Sequence, residues 1–295
     1  MFFSGSYVAL VTPWTKDLSG IDYGALKDLI EWHIASGTDG ILPAGTTGES
    51  ATLTHSEQHR LIEETVKSTA GRAKVLAGAG SNSTAEAVSL ADHAKRSGAD
   101  GILAITPYYN RPTPEGLYRH FGTVAENCDL PMMIYNVPGR TGTNILPATV
   151  ARIARDYPSV VCIKESSGIV DQSSQIIALT DDGFSVMSGD DSLALPIMAV
   201  GGSGVVSVIA NIVPAETKRM TAAALAGDFM KARELHYHLL PLMKACFVET
   251  NPAPAKTALR IMGKLDGGMR LPMVPLQPES EAALLEALRK VGLVG

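Results

Sequence analysis

Short apolar runs rich in β-branched residues alternate along the chain with longer stretches in which apolar residues recur every three or four positions. The short runs predict strands and the longer stretches predict amphipathic helices, since side chains repeat with different periods in the two structures. The predicted strands are residues 7–11, 40–43, 74–77, 101–105, 132–135, 160–164, 184–188 and 204–208. The predicted helices are residues 23–36, 55–70, 84–97, 114–127, 147–156, 171–180, 192–200 and 214–226.

Eight strand–helix units favour a closed (β/α)8 TIM barrel, because strands joined by helices run parallel. An open doubly wound sheet would show the same alternation, but no Gly-x-Gly-x-x-Gly follows the first strand. After about residue 227 the pattern changes to three predicted helices, at 228–248, 252–264 and 278–291. We therefore expect a barrel over residues 1–226 and a C-terminal three-helix appendage over residues 227–295.

Local signals at helix ends agree with this division. Thr54 with Glu57, and Ser83 with Glu86, have the spacing of capping boxes, in which hydroxyl and carboxylate satisfy the first free N–H groups of a helix. The segment 37–42 recurs almost unchanged at 98–103, each copy opening with a glycine that is typical of a helix C-terminus. This recurrence is expected of repeated helix-to-strand units.

Composition excludes several classes of protein. With 295 residues, 45% hydrophobic and a formal net charge of -5, the chain can bury a large core but lacks the basic surface of a nucleic-acid-binding protein. No apolar run reaches membrane-spanning length, and no basic segment precedes an apolar one at the N-terminus. Cys128, Cys162 and Cys246 are widely spaced, so we expect no disulfide framework, no metal site and a reducing cytoplasm, with Cys162 as a buried thiol in its apolar run.

Polar residues cluster where the predicted strands end, which is where barrel active sites form. Strand two ends in Gly-Thr-Thr-Gly-Glu-Ser at 45–50, where hydroxyls and backbone N–H groups suit a carboxylate, although a plain capped turn fits as well. Strand four is followed by Tyr108 and Tyr109, which interface packing would also explain.

Strands five and seven end in further candidates. Tyr135 is a candidate acid–base group, and Arg140 in the following loop could hold an anion, though a surface arginine is equally plausible. After strand seven, Gly189 would let a ligand approach the backbone, whereas Asp190 or Asp191 fits a helix cap.

Strand six is the most informative, because its apolar run Val-Val-Cys-Ile ends in Lys164. Such a lysine commonly extends to solvent. At the mouth of a barrel, however, desolvation disfavours the ammonium, and the free amine can attack a carbonyl to form a Schiff base.

Together these motifs resemble those of the dihydrodipicolinate synthase / N-acetylneuraminate lyase family of Schiff-base aldolases. The Gly-Thr-Thr-Gly-Glu, Tyr-Asn-Val-Pro-x-Arg-Thr-Gly and Ile-Lys-Glu motifs carry the resemblance, which extends to Glu-Thr-Asn-Pro at 249–252 and so covers nearly the whole chain. The likeness is strongest to the branch that condenses pyruvate with L-aspartate 4-semialdehyde in the diaminopimelate and lysine pathway.

The resemblance implies a role for each matching residue. Lys164 corresponds to the imine-forming lysine and Tyr135 to the acid–base group beside it. Thr46 and Tyr109 correspond to the rest of a hydroxyl proton relay, with Tyr109 reaching in from a neighbouring subunit.

Four further residues are candidates for substrate binding. The resemblance implies that Thr47 contacts the pyruvate carboxylate and that Val206 lines the same pocket, while Gly189 is a candidate because of its place after strand seven. Arg140 matches the residue that receives the carboxylate of the semialdehyde. The family also implies a homotetramer of paired dimers, no nucleic-acid or membrane partner, and no cofactor beyond the covalent imine of pyruvate.

A regulatory lysine site is implied as well. The matching positions are Ser50, Ala51, His55, Asn82, Glu86 and Tyr108. Gln58 replaces a histidine that is common in sensitive members, which leaves feedback inhibition by lysine open.

Two alternatives to the condensing enzyme remain. One is a sibling aldolase that cleaves N-acetylneuraminate or 2-keto-3-deoxy sugar acids through the same imine; Arg140 disfavours it, because a neutral polyol has little use for a cation. The other is a barrel without catalysis, which the joint presence of Lys164, Tyr135, Thr46 and Tyr109 disfavours.

Overall fold

The computed structural model describes residues 2–295, and in it eight parallel strands close into a barrel in sequence order, with β8 pairing with β1. The predicted fold class is therefore confirmed. The strands are β1 (Gly5–Ala9), β2 (Gly40–Leu42), β3 (Lys74–Gly78), β4 (Gly101–Ile105), β5 (Met132–Asn136), β6 (Val160–Glu165), β7 (Ser185–Ser188) and β8 (Gly204–Ser207).

The helices surround the barrel and continue past it. Around the barrel they are α1 (Tyr23–Ala35), α2 (His55–Thr69), α3 (Thr84–Arg96), α4 (Pro114–Asn127), α5 (Pro138–Thr141), α6 (Pro147–Asp156), α7 (Val170–Leu179), α8 (Ala194–Ala199) and α9 (Pro214–Leu225). The C-terminal helices are α10 (Phe229–Ala245), α11 (Ala253–Ile261) and α12 (Pro278–Lys290).

The predicted bounds agree with the structure within two residues, except that α10 and α11 each end three residues earlier than predicted, at Ala245 and Ile261. Two further differences concern α8 and α5. The helix predicted over 192–200 is shorter, because a 3-10 turn at Asp191–Leu193, capped by the Asp190 side chain, precedes α8. Helix α5 was not predicted, since its four residues are too few to show a periodic pattern.

The two predicted capping boxes have different outcomes. Thr54 and Glu57 form the complete reciprocal pair at the start of α2. At α3, Ser83 does cap the backbone N–H of Glu86, but the carboxylate of Glu86 contacts Ser81 and His55 instead of returning to the backbone. The second box is therefore wrong in its carboxylate half, because better partners lie beside that carboxylate.

The core has two layers on either side of the strands. Side chains that point outward pack against the helices, as Ile134 and Ile163 do. Side chains that point inward fill the barrel, and this inner cluster is Phe3, Tyr7, Ala9, Leu42, Leu76, Leu103, Met133, Tyr135, Val137, Cys162, Met187 and Val206. Because alternate residues face inward, residues 162 and 164 of β6 share the barrel interior.

The C-terminal helices pack on the barrel helices and share their hydrophobic core, to which Leu239, Leu259 and Leu288 contribute. Arg270, in the loop before α12, pairs with Glu57 of α2 at 2.6 Å. All three cysteines are free and buried, whereas the sequence predicted burial only for Cys162. Within residues 2–295, no helix is both long and apolar enough to cross a bilayer.

Candidate active site

Lys164 lies inside the barrel near the C-terminal end of β6, with only 5% of its surface exposed. The register of β5 and β6 pairs it directly with Tyr135, and its Nζ lies 4.2 Å from the centre of the Tyr135 ring. The strand alternation thus brings the predicted imine-forming lysine and its predicted acid–base partner together.

Gly189 provides the space that the lysine stem occupies. A Cβ built on Gly189 would overlap the Ser166 hydroxyl and would lie 2.7 Å from Cε and 3.0 Å from Cγ of Lys164. The Ser166 hydroxyl is buried and has no hydrogen-bond partner within residues 2–295. Gly189 therefore permits the position of Lys164 in addition to its predicted place in the substrate pocket.

The carboxylate that follows Lys164 in sequence faces the opposite side of the strand. Glu165 is 2% exposed and accepts hydrogen bonds from the side chains of Asn136 (3.0 Å) and Gln172 (3.0 Å) and from the backbone N–H of Ser167 (2.6 Å). Because these donors satisfy the carboxylate outside the barrel, it forms no ion pair with the amine of Lys164.

The two adjacent threonines that follow β2 have different surroundings. Thr46 is half-buried and lines the cavity at the barrel mouth, whereas Thr47 is buried. The Thr47 hydroxyl accepts a hydrogen bond of 2.9 Å from Nδ2 of Asn251. Because the Thr47 oxygen accepts this hydrogen bond, its O–H group is left to donate a hydrogen bond to an anion.

Arg140 lies on α5, next to the cavity mouth, and is exposed. Its guanidinium donates to the backbone carbonyl of Asn251 at 3.3 Å. The donor is charged, but the bond is long and its acceptor is a neutral carbonyl, so it holds the guanidinium only weakly. Arg140 can therefore turn toward an anionic ligand.

One cavity of about 460 Å³ is lined by residues from both predicted groups. From the catalytic and substrate-binding group these are Thr46, Tyr135 and Arg140, and from the regulatory group Ser50, Ala51, His55, Glu86 and Tyr108. Part of the predicted catalytic site and most of the predicted regulatory site therefore face the same cavity.

The carboxylate of Glu86 is a charged group among the predicted regulatory residues that line this cavity. It accepts from the Ser81 hydroxyl and lies 2.7 Å from Nε2 of His55. The hydrogen bond from Ser81, opposed by partial burial and assisted by His55, lowers the pKa of Glu86. The Asn82 side chain, which is not part of the cavity lining, donates a hydrogen bond to the carbonyl of Tyr108 at 3.2 Å.

Six of the predicted site residues are not among those that line this cavity: Lys164, Tyr109, Thr47, Gly189, Val206 and Asn82. Val206 is fully buried in the inner cluster of the barrel. Tyr109 is 90% exposed and adopts a left-handed backbone conformation, with φ of 70°. Within residues 2–295 no hydrogen bond joins Thr46 to Tyr135, so the single chain does not complete the predicted relay.

The family model described as the dihydrodipicolinate synthetase family matches residues 2–291. The chain belongs to this family. The 4-hydroxy-tetrahydrodipicolinate synthase of Maridesulfovibrio salexigens is 52% identical over 294 residues, which cover 100% of both chains.

Solved structures from the family have the same fold throughout. The dihydrodipicolinate synthase of Aquifex aeolicus superposes with a TM-score of 0.97 at 50% identity and covers 99% of each chain. The enzyme of Cyanidioschyzon merolae, solved with lysine bound, gives a TM-score of 0.97 at 40% identity over 99% of each chain.

Asn251 and Lys256 are site residues of this family member that the sequence did not single out. Asn251 contacts both the Thr47 hydroxyl and the Arg140 guanidinium. Lys256 pairs with Glu49, which lies with Thr46 and Thr47 in the segment 45–50, the threonine loop. The Glu-Thr-Asn-Pro motif at 249–252 was the only available signal for Asn251. Nothing in the sequence pattern relates either residue to a loop two hundred positions away.

Proposed function

We propose that this chain condenses pyruvate with L-aspartate 4-semialdehyde to give 4-hydroxy-tetrahydrodipicolinate, through an imine on Lys164. The observation that carries the proposal is the buried amine of Lys164, 4.2 Å from the Tyr135 ring and without a carboxylate partner among residues 2–295. The relative from Maridesulfovibrio salexigens, 52% identical over its whole length, bears the name of this activity.

The reaction uses the iminium formed between Lys164 and pyruvate as an electron sink. Lys164 adds to the pyruvate ketone and water leaves, which gives an iminium; the methyl carbon then loses a proton to form an enamine. That carbon bonds to the aldehyde carbon of the second substrate, whose oxygen takes up a proton. The amine of the condensed product then displaces Lys164 as the ring closes. Tyr135 moves these protons, together with Thr46 and Tyr109 of the partner subunit.

The pyruvate carboxylate is received by the threonine loop. The Thr47 hydroxyl, which already accepts from Asn251, donates to a carboxylate oxygen. Val206 supplies the apolar wall beside the methyl group, and Gly189 leaves room for the ligand beside the lysine stem. This arrangement fixes the ketone next to the amine.

Arg140 receives the carboxylate of aspartate semialdehyde. Its exposed guanidinium at the mouth is held only by the 3.3 Å contact to the Asn251 carbonyl, so a bidentate pair with a substrate carboxylate is available to it. The same feature weighs against the sibling aldolase, because N-acetylneuraminate and 2-keto-3-deoxy sugar acids present hydroxyl groups at that position.

Lysine is proposed as a feedback inhibitor that binds in the part of the cavity lined by His55, Glu86 and Tyr108. Glu86, whose pKa is lowered mainly by the Ser81 hydrogen bond, offers an anion to an ammonium group, and His55 and Tyr108 lie beside it. The Cyanidioschyzon merolae relative has been solved with lysine bound. Gln58, whose amide donates to the carbonyl of Gly78, occupies the position where sensitive relatives often have histidine.

The proposed assembly is a homotetramer of two dimers in a reducing cytoplasm, without a cofactor. Tyr109 projects from the surface and is 90% exposed, which fits a side chain that completes the site of a second subunit. The three free, buried cysteines fit a reducing compartment.

Borohydride reduction in the presence of pyruvate tests the imine. We expect a stable adduct on the peptide that contains Lys164, and none in Lys164→Ala. Turnover is then compared among aspartate semialdehyde with pyruvate, N-acetylneuraminate, and a 2-keto-3-deoxy sugar acid. An adduct with cleavage of a sugar acid would establish the sibling aldolase, and the absence of any adduct would leave a barrel without catalysis.

A further inference from the structure

A buried ion pair connects the C-terminal appendage to the threonine loop. Lys256 of α11 places its Nζ 2.6 Å from Oε1 of Glu49 and 2.8 Å from the backbone carbonyl of Thr12. Both charged side chains are only 2% exposed. Glu49 follows Thr46 and Thr47 in the same loop, so the pair acts on the segment that carries both hydroxyls.

The Glu49 carboxylate is satisfied from several directions. Besides Lys256, it accepts from the indole N–H of Trp14 at 3.0 Å and from the backbone N–H of Arg270 at 3.2 Å. The backbone of Glu49 has φ of 57°, in the left-handed region that residues with a side chain rarely adopt. A loop in this conformation persists because surrounding contacts hold it.

Stability alone does not account for such a pair. Two buried charges lose their hydration, and apolar residues of similar size often give an equally stable protein. The cost of burial is visible at Lys256, because burial lowers its pKa and the neighbouring Glu49 offsets only part of this effect. The pair instead fixes the position of the Glu49 side chain relative to α11, because a short, hydrogen-bonded ion pair tolerates little displacement of either partner.

We infer that Lys256 is a positioning residue that, through Glu49, holds the threonine loop in the conformation that receives the substrate carboxylate. Asn251, five residues earlier in the same segment, contacts the Thr47 hydroxyl directly at 2.9 Å. The appendage therefore holds the loop at two points and is part of the active site. The inference rests on the proposed role of Thr47 in pyruvate binding.

The experiment compares Lys256→Met, Glu49→Gln and the double variant in the full-length enzyme. Each single variant leaves one buried charge or dipole poorly matched, so a lower melting temperature is expected. The double variant removes both charges and regains much of the melting temperature. We expect its KM for pyruvate to remain raised by about 10-fold or more, with kcat reduced much less, because the loop is no longer positioned for ground-state binding.

Glu281→Gln is the matched control. It removes one charge from the exposed pair between Glu281 of α12 and Arg260 of α11, the helix that also carries Lys256, and neither residue belongs to the threonine loop. We expect the control to leave the KM for pyruvate unchanged. An equal rise in Glu281→Gln, or recovery of KM together with melting temperature in the double variant, would overturn the inference.

Borohydride trapping with pyruvate separates this inference from the proposed function. If the unmodified enzyme forms no adduct, the proposed function fails. If it forms the adduct and the double variant traps pyruvate at the same half-saturating concentration, the proposed function stands and the positioning role of Lys256 fails.

Discussion

The amine of Lys164 lies over the ring of Tyr135, 4.2 Å from its centre, and the two residues are direct partners in the β5–β6 register. The next pair in that register, Asn136 and Glu165, is hydrogen-bonded on the outer face of the sheet. A shift of the β5–β6 register by one residue would place the side chains of both pairs on the wrong face of the sheet. The main chain therefore fixes the proposed nucleophile and its acid–base partner together.

Tyr135→Phe should keep the ring beside Lys164 and lose the proton-transferring hydroxyl. We expect kcat to fall by ~10²–10⁴, which is the range for loss of a general acid–base group. Steady-state turnover with both substrates measures this. Tyr118→Phe is the control, since that hydroxyl contacts Asp156 away from the cavity; unchanged turnover in Tyr135→Phe would contradict the assigned role.

Gly189→Ala should displace Lys164, because the new methyl group would overlap Ser166 and lie 2.7 Å from Cε of the lysine. A misplacement of about 1 Å near the reacting atoms costs about 10²-fold in rate. Pyruvate trapping by borohydride should slow accordingly. Gly183→Ala meets no atom within 4 Å and serves as the control; equal trapping rates in the two variants would refute this reading of Gly189.

Arg140→Lys keeps the positive charge and loses the planar fork that a carboxylate engages through two hydrogen bonds. We expect kcat/KM for aspartate semialdehyde to fall about 10-fold or more, while the KM for pyruvate stays the same. Arg155→Lys, at an exposed pair with Asp156, should change neither constant. If only the KM for pyruvate rose, Arg140 would contact pyruvate and not aspartate semialdehyde.

Stability should decline in mild acid because of His33. Burial lowers the pKa of His33 from 6.5 to about 3, so the folded protein resists a proton that the unfolded chain accepts. The contribution of His33 to the free energy of unfolding is fully present above pH 6.5. It decreases by ~1.4 kcal/mol for each pH unit below that, down toward pH 3.

Urea unfolding at several pH values between 7.5 and 5 measures this effect. His33→Leu should make the dependence on pH less steep, with the remainder owed in part to His120, whose pKa burial lowers to about 4. His238→Leu, at an exposed position of α10, should retain the full dependence. A parallel decline in the unmodified protein and in His33→Leu would assign the acid sensitivity to other groups.

Glu86→Gln should weaken inhibition by lysine. The neutral amide cannot pair with an ammonium group, and loss of a charge-assisted hydrogen bond is worth ~1.5–3 kcal/mol, or about 10- to 100-fold in the inhibition constant. Inhibition curves, each normalised to the uninhibited rate of the same variant, give the comparison. If lysine at millimolar concentration has no effect on the unmodified enzyme, the regulatory site itself is refuted.

Much of the fold followed from periodicity and helix caps. The glycines at 37 and 98 end helices in the left-handed conformation, and Thr54 forms its capping box, because both features depend only on neighbours in sequence. The carboxylate of Glu86 did not follow the same rule, since Ser81 and His55 compete for it. Contacts brought in by folding override a local preference of about 1 kcal/mol.

The sequence by itself determined the barrel, the alternation that turns Lys164 inward, and the position of polar residues at the strand ends, since each depends on the period of a strand or helix. Only the tertiary structure decided which distant groups complete the site. Asn251 meets Thr47 across 204 positions and Lys256 meets Glu49 across 207. Such pairs arise where the appendage packs against the barrel, and no local pattern along the chain encodes that packing.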